Sequence, residues 1–360
     1  MSEISPRKIL LTAGGTGGHV FPALVVADIL RSRGHVVEWL GTERGIEASI
    51  VPQASIPLHF ITIEGLRGKG KVALLKAPWL LFKAITQAMI ILRKVQPDLV
   101  LGFGGFVSGP GGLSAKLLKI PLVVHEQNAV AGTTNRILSK IAQRVLEAFP
   151  GSLPKALLVG NPVRSEIAAL PDPKKRYGER KGRINLLILG GSLGALAINQ
   201  LIPPAVAAIN ESERPQIWHQ TGKAHLEQTT ALYCHHQVDA KIEPFISDMT
   251  SAFAWADLVV SRAGALTVSE ITAAGVAAIL IPFPFAIDDH QTKNAQWLAQ
   301  NDAAIVKSQD ELTPELMNKL LCELSSNRER LCELACRARH LAHPESAHSV
   351  ANICQEIVSG

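Results

Sequence analysis

Residues 10–22 read LLTAGGTGGHVFP, an apolar run followed by a loop with four glycines in five positions. His19 follows the last glycine, and a helix-like stretch, ALVVADILRSRG (23–34), comes next. A strand, a tight turn and a helix in this order begin a βαβ unit, the building block of parallel α/β sheets. The stretch therefore predicts the fold class and raises the question of which ligand the glycine turn holds.

The same alternation continues along the chain. DLVLGFGG leads to VSGPGGLSAKLLK and IPLVVHEQN to TTNRILSKIA, and the pattern restarts with INLLILGGSLGALAINQLI after a proline-rich, charged stretch at 161–183. We interpret 161–183 as a linker. The predicted fold class is α/β, with two doubly wound Rossmann-like domains facing each other across a cleft. The predicted domains are 1–163 and 164–340, and residues 341–360 are predicted to form a helix that returns to the first domain.

The composition favours a folded protein of a reducing compartment. Apolar residues make up 47% of the chain and charged residues 19%, which supports a large buried core. The five cysteines include no CxxC pair, which is typical of reduced thiols in the cytoplasm. Cys332, Cys336 and His340 share one face of a predicted helix, where we interpret them as packing and surface residues. Residues 1–163 carry 18 Lys/Arg and 9 Asp/Glu, whereas the remainder carries 18 and 22, so the first half suits an anionic partner.

Three glycine-rich turns each follow an apolar strand and precede a helix: Gly14–Gly18, Gly102–Gly112 and Gly190–Gly194. Glycine lets backbone N–H groups approach a ligand closely, and a helix N-terminus adds about half a positive charge. Such turns suit phosphates or polar sugar groups and need no metal. A tight turn without a ligand is the alternative for any single loop.

Two other functions fit parts of this pattern. A dinucleotide site needs G-x-G-x-x-G, but the run from Gly15 has Val20 at the third glycine position, although Glu38 lies near the distance of a ribose-binding acid. Residues 190–194, GGSLG, match the G-x-S-x-G elbow of hydrolases, with Asp288 and His290 in the right order. The hydrolase interpretation leaves the first 180 residues without a role.

Seven motifs occur in a characteristic order: TAGGTGGHVFPAL, GLRGKGK, GFGGFVSGPGG, HEQNAVAG, VGNPVR, GGSLGA and SRAGALTVSEI. On these the chain resembles the MurG family, the bacterial N-acetylglucosaminyltransferases of peptidoglycan synthesis. The resemblance implies the two-domain GT-B fold. It also implies transfer of N-acetylglucosamine from UDP-N-acetylglucosamine to the 4-hydroxyl of the muramyl sugar of lipid I, with inversion, to form lipid II.

The resemblance places the UDP-sugar donor site mainly in the second domain and the acceptor and membrane face in the first. The family's donor-binding positions correspond to Arg164, Ser192, Ile246, Ala265, Leu266, Thr267, Val268, Ser269, Glu270 and Gln291, joined by Thr16, Gly17, Gly18 and Asn128 of the first domain. Glu270 would accept hydrogen bonds from the ribose diol. A first-turn acid that complements the helix dipole is the alternative. The family's usual glutamine is replaced by Leu193, which puts any contact of that side chain in doubt.

The resemblance assigns His19 and Glu126 to catalysis and His125, Gly104 and Gly105 to the acceptor side. Imidazole suits general-base chemistry near neutral pH, but His19 could equally hold the shape of the turn. The chain contains no D-x-D motif, so we expect neither a metal nor a cofactor. Helix N-termini and Arg164 would stabilise the departing UDP instead.

Residues 69–94, KGKVALLKAPWLLFKAITQAMIILRK, are both apolar and basic. Leu75, Trp79 and Phe82 share a helical face near Lys69, Lys71, Lys76 and Lys83, which predicts a helix lying on an anionic membrane surface. A buried core helix is the alternative. We therefore expect a peripheral enzyme at the cytoplasmic face of the inner membrane, with lipid I, the membrane and other cell-wall synthesis proteins as partners and no nucleic acid. Another UDP-sugar enzyme, such as an epimerase, and an NAD-linked oxidoreductase remain the rival functions.

Overall fold

The computed structural model describes residues 5–63, 70–191 and 193–359, with the backbone alone for 70–76 and 287. The chain divides into two compact units. Unit 1 comprises Met1–Val163 with His343–Gly360, and unit 2 comprises Arg164–Ala342. Each unit is a parallel sheet with helices between its strands, so the predicted α/β class with two Rossmann-like domains is confirmed.

Unit 1 contains a seven-stranded parallel sheet among its described residues. Its strands are β1 (Lys8–Ala13), β2 (Val36–Gly41), β3 (Leu58–Phe60), β4 (Leu99–Gly104), β5 (Leu122–Glu126), β6 (Arg144–Glu147) and β7 (Leu157–Leu158). Their spatial order is β3-β2-β1-β4-β5-β6-β7. This is the Rossmann order, in which the sheet grows in opposite directions on the two sides of the β1/β4 boundary.

Alternate residues of β1 supply two separate cores. The helices that follow the strands are α1 (Gly17–Ser32), α2 (Glu47–Gln53), α3 (Gly70–Val95), α4 (Ser108–Leu117) and α5 (Thr133–Leu138). Ile9 and Leu11 are buried with residues of α1, whereas Leu10 is buried with residues of α3. Successive strand side chains point to opposite faces, so the continuous apolar run of β1 reflects a sheet covered on both sides.

Unit 2 repeats this order in a six-stranded parallel sheet of its described residues. Its strands are β8 (Asn185–Leu189), β9 (Gln216–Gln220), β10 (Lys241–Glu243), β11 (Leu258–Ser261), β12 (Ala277–Leu280) and β13 (Ile305–Val306). The spatial order is β10-β9-β8-β11-β12-β13. The reversal point of this sheet therefore lies between β8 and β11.

Nine described α-helices accompany this sheet or precede it in the chain. They are α6 (Ser165–Ala168), α7 (Pro173–Glu179), α8 (Leu196–Ala207), α9 (Leu226–His235), α10 (Met249–Trp255), α11 (Ala265–Ala274), α12 (His290–Ala299), α13 (Pro314–Ser326) and α14 (Arg328–His340). Leu186 and Ile188 of β8 are buried with residues of α8 and α13. The last helix, α15 (Ser346–Ser359), belongs to unit 1, where its apolar residues join the core of Ile9 and α1.

The linker interpretation of 161–183 is wrong for most of the segment, which folds into unit 2 as α6 and α7. Tyr177 is buried, and its hydroxyl donates to the Asp257 carbonyl at 2.6 Å and accepts from the Ala277 N–H at 3.1 Å. Arg176 is also buried, with its guanidinium donating to backbone carbonyls of unit 2. Charged residues can enter a core when carbonyl groups satisfy them, which the composition of the segment does not reveal.

Candidate functional site

The glycine loops of unit 1 lie on both sides of its reversal point, where open α/β sheets bind ligands. One loop follows β1, and the other begins with Gly104 and Gly105 at the end of β4. Gly105 has a φ of +79°, and a Cβ atom there would collide with the carbonyl oxygen of Gly14. The two loops therefore touch through their backbones, and only glycine fits at this contact.

A buried carboxylate braces the first of these loops. Glu47 of α2 is fully buried, and its Oε2 accepts a hydrogen bond from the Gly15 N–H at 3.0 Å. Its Oε1 accepts from the Thr42 N–H and hydroxyl at 3.0 and 2.7 Å. The Gly15 N–H, which a dinucleotide site would offer to a pyrophosphate, is thus already bonded to the Glu47 carboxyl group. This argues against the NAD interpretation at this loop.

His19 lies in the first turn of α1, directly after the glycines. Thr16 precedes this helix without making a side-chain cap, so its hydroxyl does not bond the N–H groups of the first turn, which begins with Gly17 and Gly18. The structure thus brings Thr16, Gly17, Gly18 and His19 together at the carboxyl edge of the sheet. Gly104 borders the same imidazole, because a Cβ atom there would lie 3.2 Å from His19 Cε1.

His19 and His125 are joined through a residue that the sequence did not single out. His19 Nδ1 lies 2.9 Å from Gln127 Oε1, and Gln127 Nε2 lies 3.0 Å from His125 Nδ1. His125 Nε2 lies 2.9 Å from the Gly160 carbonyl oxygen. His125 is buried, and burial lowers the pKa of its imidazole to about 4, so it is neutral at physiological pH.

The Glu126 side chain forms hydrogen bonds with the loop between β5 and α5. Its Oε1 accepts from the Asn128 N–H at 2.9 Å and its Oε2 from the Gly132 N–H at 3.2 Å. The side-chain amides of Asn128 and Asn135 donate to the same carboxylate at 3.3 and 2.9 Å. Glu126 is only 1% exposed. Four donors around a buried carboxylate favour a structural role for Glu126 over proton abstraction, and Asn128 shares that role.

The loops after β8 and β11 flank the reversal point of unit 2. Ser192, predicted to contact the donor phosphates, lies outside the described residues. Its neighbour Leu193, which departs from the family pattern, is 86% exposed. Gly191 and Gly194 adopt φ values of +77° and +81°, and the Gly194 N–H donates to the Gly191 carbonyl at 3.1 Å. The backbone is therefore tightly turned at these two glycines.

The start of α11 presents backbone donors without a capping side chain. Gly264 precedes the helix, and the Val268 N–H closes the first helical bond to the Gly264 carbonyl at 2.9 Å. The N–H groups of Ala265, Leu266 and Thr267 have no partner of this kind, as is usual for a first turn. Together with the helix dipole they favour an anionic group at this end.

The side chains of Val268 and Ser269, in the same predicted donor-binding segment, make their contacts within the protein. Val268 is fully buried, so its side chain is part of the core. The Ser269 hydroxyl donates to the Ala265 carbonyl at 2.8 Å. Both residues therefore stabilise the first turns of α11, and the donors offered to a ligand are the backbone groups before them.

Glu270 lies in the second turn of α11 with a buried carboxyl group. The residue is 6% exposed, and the described part of the chain provides no hydrogen bond to its carboxylate. Burial raises the pKa of Glu270 to about 7, while the nearby Arg164 guanidinium lowers it. The alternative of a first-turn acid is wrong, because the first turn of α11 contains no acid. A largely buried carboxyl group beside a cation suits a ligand that brings hydroxyl groups.

Gln220 connects two segments that the sequence predicted for the donor site. Its Oε1 accepts from the Ile246 N–H at 3.0 Å, and its Nε2 donates to the Gly191 carbonyl at 3.0 Å. Both Gln220 and Ile246 are buried. The N–H of Ile246 is thus already bonded inside the protein. Phe245 beside it is half-exposed and presents an aromatic surface at this edge.

Gln291 of α12 holds the loop that precedes α11. Its Oε1 accepts from the N–H groups of Phe283 and Ala263 at 3.0 and 3.3 Å. Asn294, one turn further on, donates to the Ala263 carbonyl at 3.1 Å. The side-chain N–H groups of Gln291 remain as its donors to a ligand.

Within the described residues, no group of three or more His, Cys, Asp and Glu side chains is arranged to hold a metal ion. Asp288 and Asp289 are exposed and adopt left-handed backbone angles, with φ values of +53° and +52°. The Sγ atoms of Cys332 and Cys336 lie 4.0 Å apart on α14.

One face of α3 is exposed although the helix packs on the core. Trp79 and Phe82 are 69% and 62% exposed, and their rings stack at 5.9 Å between centroids. Ala84 and Ala88 on the other side are fully buried. The alternative of a buried helix is therefore wrong for both aromatic residues. None of the described helices has the length and apolarity needed to cross a bilayer.

The structure describes only the backbone of three other residues that were predicted for this face. These are Leu75, Lys71 and Lys76, whereas Lys69 lies outside the described residues altogether. Lys83, one residue after Phe82, is exposed. Exposed aromatic rings beside a cation are typical of surfaces that meet the headgroup region of a membrane.

Two protein-family models match the chain. Residues 9–147 match the glycosyltransferase family 28 N-terminal domain, and residues 185–352 match the family 28 C-terminal domain. Each matched segment opens on a strand whose glycine loop was described above. The first match lies within unit 1, and the second covers most of unit 2 and extends into α15.

Full-length relatives carry one name. The chain is 58% identical over 359 residues to the UDP-N-acetylglucosamine–N-acetylmuramyl-(pentapeptide) pyrophosphoryl-undecaprenol N-acetylglucosamine transferase of Cellvibrio japonicus, covering 98% of this chain and 99% of that one. The transferase of the same name from Marinobacter nauticus is 50% identical, with 100% of both chains covered. The crystal structure of MurG from Acinetobacter baumannii superposes with a TM-score of 0.85 at 42% identity, covering 98% and 100% of the two chains.

Proposed function

The chain belongs to glycosyltransferase family 28, and we infer that it is an N-acetylglucosaminyltransferase of peptidoglycan synthesis. It moves N-acetylglucosamine from UDP-N-acetylglucosamine to the muramyl sugar of lipid I and forms lipid II. The observation that carries this conclusion is the full-length identity to transferases of that name. The test is transfer of labelled N-acetylglucosamine to a soluble lipid I analogue. Donor epimerisation or hydrolysis without a labelled acceptor product would assign the chain to another class of UDP-sugar enzyme.

The donor site we propose lies at the reversal point of unit 2. The uncapped start of α11 would hold the diphosphate, because its free N–H groups and dipole favour negative charge. Glu270 would accept hydrogen bonds from the ribose diol. Arg164 lies close enough to lower the pKa of Glu270, and its charge would add to the stabilisation of the phosphates.

Uracil recognition would fall to the carbonyl group of Ile246. The N–H of this residue already donates to Gln220, so the carbonyl oxygen is the backbone group left to accept from uracil N3–H. Gln291 would donate its free side-chain N–H groups to hydroxyls of the sugar. In this proposal Ile246 contacts the base, Glu270 the ribose, the start of α11 the diphosphate and Gln291 the sugar.

The reaction we propose is a single displacement with inversion. The 4-hydroxyl oxygen of the muramyl sugar attacks C1 of N-acetylglucosamine, and the bond from C1 to the UDP oxygen breaks with its electron pair leaving on UDP. The hydroxyl proton passes to His19, whose Nε2 has no hydrogen-bond partner among the described residues. Glu126 is a poorer base, because four donors already occupy its carboxylate. Glu126, His125 and the loop of Gly104 and Gly105 would shape the acceptor side. Contacts of Thr16, Gly17, Gly18 and Asn128 with the donor stay a prediction from the resemblance.

We expect activity to survive exhaustive chelation with EDTA, because backbone N–H groups and Arg164 can stabilise the departing diphosphate. Transfer would be measured with the soluble acceptor before and after chelation, with a magnesium-dependent phosphotransferase as the chelation control. Activity that disappears with EDTA and returns with magnesium or manganese would contradict stabilisation without a metal.

We also propose that the exposed face of α3 places the enzyme on the anionic cytoplasmic surface of the inner membrane, where lipid I resides. A bilayer would cover the exposed rings of Trp79 and Phe82, and the basic residues of unit 1 would add electrostatic attraction. The net charge of +9 on residues 1–163 has the sign that this attachment requires. Contact with other cell-wall synthesis proteins stays a prediction from the resemblance.

Replacing Trp79 and Phe82 together with serine should weaken binding to anionic vesicles by at least about tenfold, since a buried large apolar side chain contributes about 1.5–3 kcal/mol. Turnover of the soluble acceptor should stay at the wild-type level. The matched control replaces Leu117 and Ile137 with serine, because both are exposed apolar residues of unit 1 outside α3. Equal vesicle binding by both double variants would contradict the assignment of this face.

A further inference from the structure

The hydrogen bonds that link His125 to its neighbours have a fixed direction. The Gly160 carbonyl can only accept, so His125 Nε2 must carry a proton and donate across 2.9 Å. His125 is fully buried and neutral, and a neutral imidazole carries one proton. His125 Nδ1 is therefore an acceptor, and it takes a hydrogen bond from Gln127 Nε2 at 3.0 Å.

The orientation of the Gln127 amide is fixed by a second contact. Its Nε2 also lies 3.0 Å from the His125 carbonyl oxygen, which can only accept. The NH₂ end of the amide must therefore face His125, where its two protons meet one acceptor each. The Oε1 end then faces His19 Nδ1 at 2.9 Å. Because an amide oxygen can only accept, His19 Nδ1 must be the donor.

From this geometry we propose that Gln127, held by His125 and Gly160, keeps His19 in the Nδ1–H tautomer. This tautomer leaves the Nε2 lone pair to accept the proton of the acceptor hydroxyl. Free histidine prefers a proton on Nε2, where it would block that transfer. Gln127 is thus a positioning residue that acts through His19. The role of Gln127 in catalysis rests on the proposed function, whereas the tautomer of His19 rests on the hydrogen bonds alone.

The chemistry of an amide suits this role. Once His19 accepts a proton on Nε2, its Nδ1–H still donates to Gln127 Oε1, so the hydrogen bond persists through the transfer. An amide fixes which nitrogen carries the proton without placing a negative charge beside the imidazole. Gly104 supports the arrangement, because a side chain at this position would press against the His19 ring.

The test measures the His19 tautomer by ¹⁵N chemical shifts of the imidazole in the full-length protein, beside the kcat for the soluble acceptor. Wild type should show the Nδ1–H form. Gln127→Met keeps the length of the side chain but removes both polar ends, so His19 should move toward the Nε2–H form. We expect kcat to fall by about tenfold or more, within the range of general-base contributions, with an unchanged KM for UDP-N-acetylglucosamine.

Gln127→Glu retains an oxygen that accepts from His19 Nδ1, but its second oxygen replaces the NH₂ group that donates to His125. It should therefore keep the wild-type tautomer, with a kcat between those of the wild type and Gln127→Met. The matched control is Gln87→Met, because Gln87 is a glutamine of unit 1 that lies on α3, where its Oε1 accepts from the Thr62 N–H at 2.8 Å. This control should keep both tautomer and kcat.

An Nε2–H signal from His19 in the wild type would overturn the proposal without any variant. The proposal would also fail if Gln127→Met kept the wild-type tautomer of His19. It would fail as well if the tautomer changed but kcat stayed at the wild-type value. The His19→Ala variant separates this failure from that of the proposed base. If His19→Ala keeps its kcat, the base assignment fails and the ¹⁵N shifts still decide the tautomer.

Discussion

His19→Ala is expected to lower kcat for the soluble lipid I analogue by about 10²–10⁴-fold, the usual contribution of a general base. The KM for UDP-N-acetylglucosamine should change little, because the donor site proposed in unit 2 does not use this imidazole. His19 lies at a glycine loop, and its Nε2 has no hydrogen bond to any residue that the structure describes. Its removal therefore leaves the acceptor hydroxyl without a proton acceptor. Steady-state kinetics with the two substrates varied separately would measure both effects.

Glu126→Gln is the informative comparison for this prediction. An NH₂ group in place of one carboxylate oxygen would face donors of the β5–α5 loop, and each unsatisfied buried group costs about 1–3 kcal/mol. We therefore expect a lower melting temperature for Glu126→Gln and, for His19→Ala, a nearly unchanged one. If Glu126→Gln melts like the wild type yet loses as much kcat as His19→Ala, the base would be Glu126.

The architecture could be predicted because its signals are local. A parallel sheet with helices on both faces produces apolar runs such as β1, and a glycine turn follows where the chain enters a helix. Both features lie within a few consecutive residues. The sequence also predicted that Trp79 and Phe82 share one face of α3, because this follows from the helical period alone. The choice between an exposed and a buried face needed the structure, because both place apolar residues at the same spacing.

The residues that organise the two loop clusters could not be predicted from local patterns. Gln127 bonds to a histidine 108 positions away, Gln220 to an N–H 26 positions away and Glu47 to an N–H 32 positions away. Nothing in the neighbouring sequence distinguishes these side chains from solvated ones. The linker prediction for 161–183 failed for the same reason, because the carbonyl groups that accept from Arg176 lie far along the chain.

Glu270 is expected to make the free protein less stable above neutral pH. Burial raises the pKa of Glu270 to about 7 from an ordinary value of 4.5, so the unfolded chain ionises first as the pH rises. The free energy of unfolding therefore decreases between these two values, by about 3 kcal/mol at about 1.4 kcal/mol per pKa unit. Glu270→Gln removes this loss. Its melting temperature should exceed that of the wild type at pH 8, and the difference should vanish below pH 4.5.

The same substitution should weaken binding of UDP-N-acetylglucosamine by about 10–100-fold, because a hydrogen bond to a charged acceptor contributes about 1.5–3 kcal/mol. The ionised carboxylate is the form that accepts from both ribose hydroxyls. Wild-type affinity should therefore rise as the pH increases through about 7, with release of a proton on binding at lower pH. Titration calorimetry in buffers of different ionisation enthalpy would count that proton. The donor diphosphate does not titrate in this range, so Glu270→Gln should bind with a flat pH profile. Wild-type affinity in the variant, or a pH dependence that survives the substitution, would place Glu270 outside the ribose site.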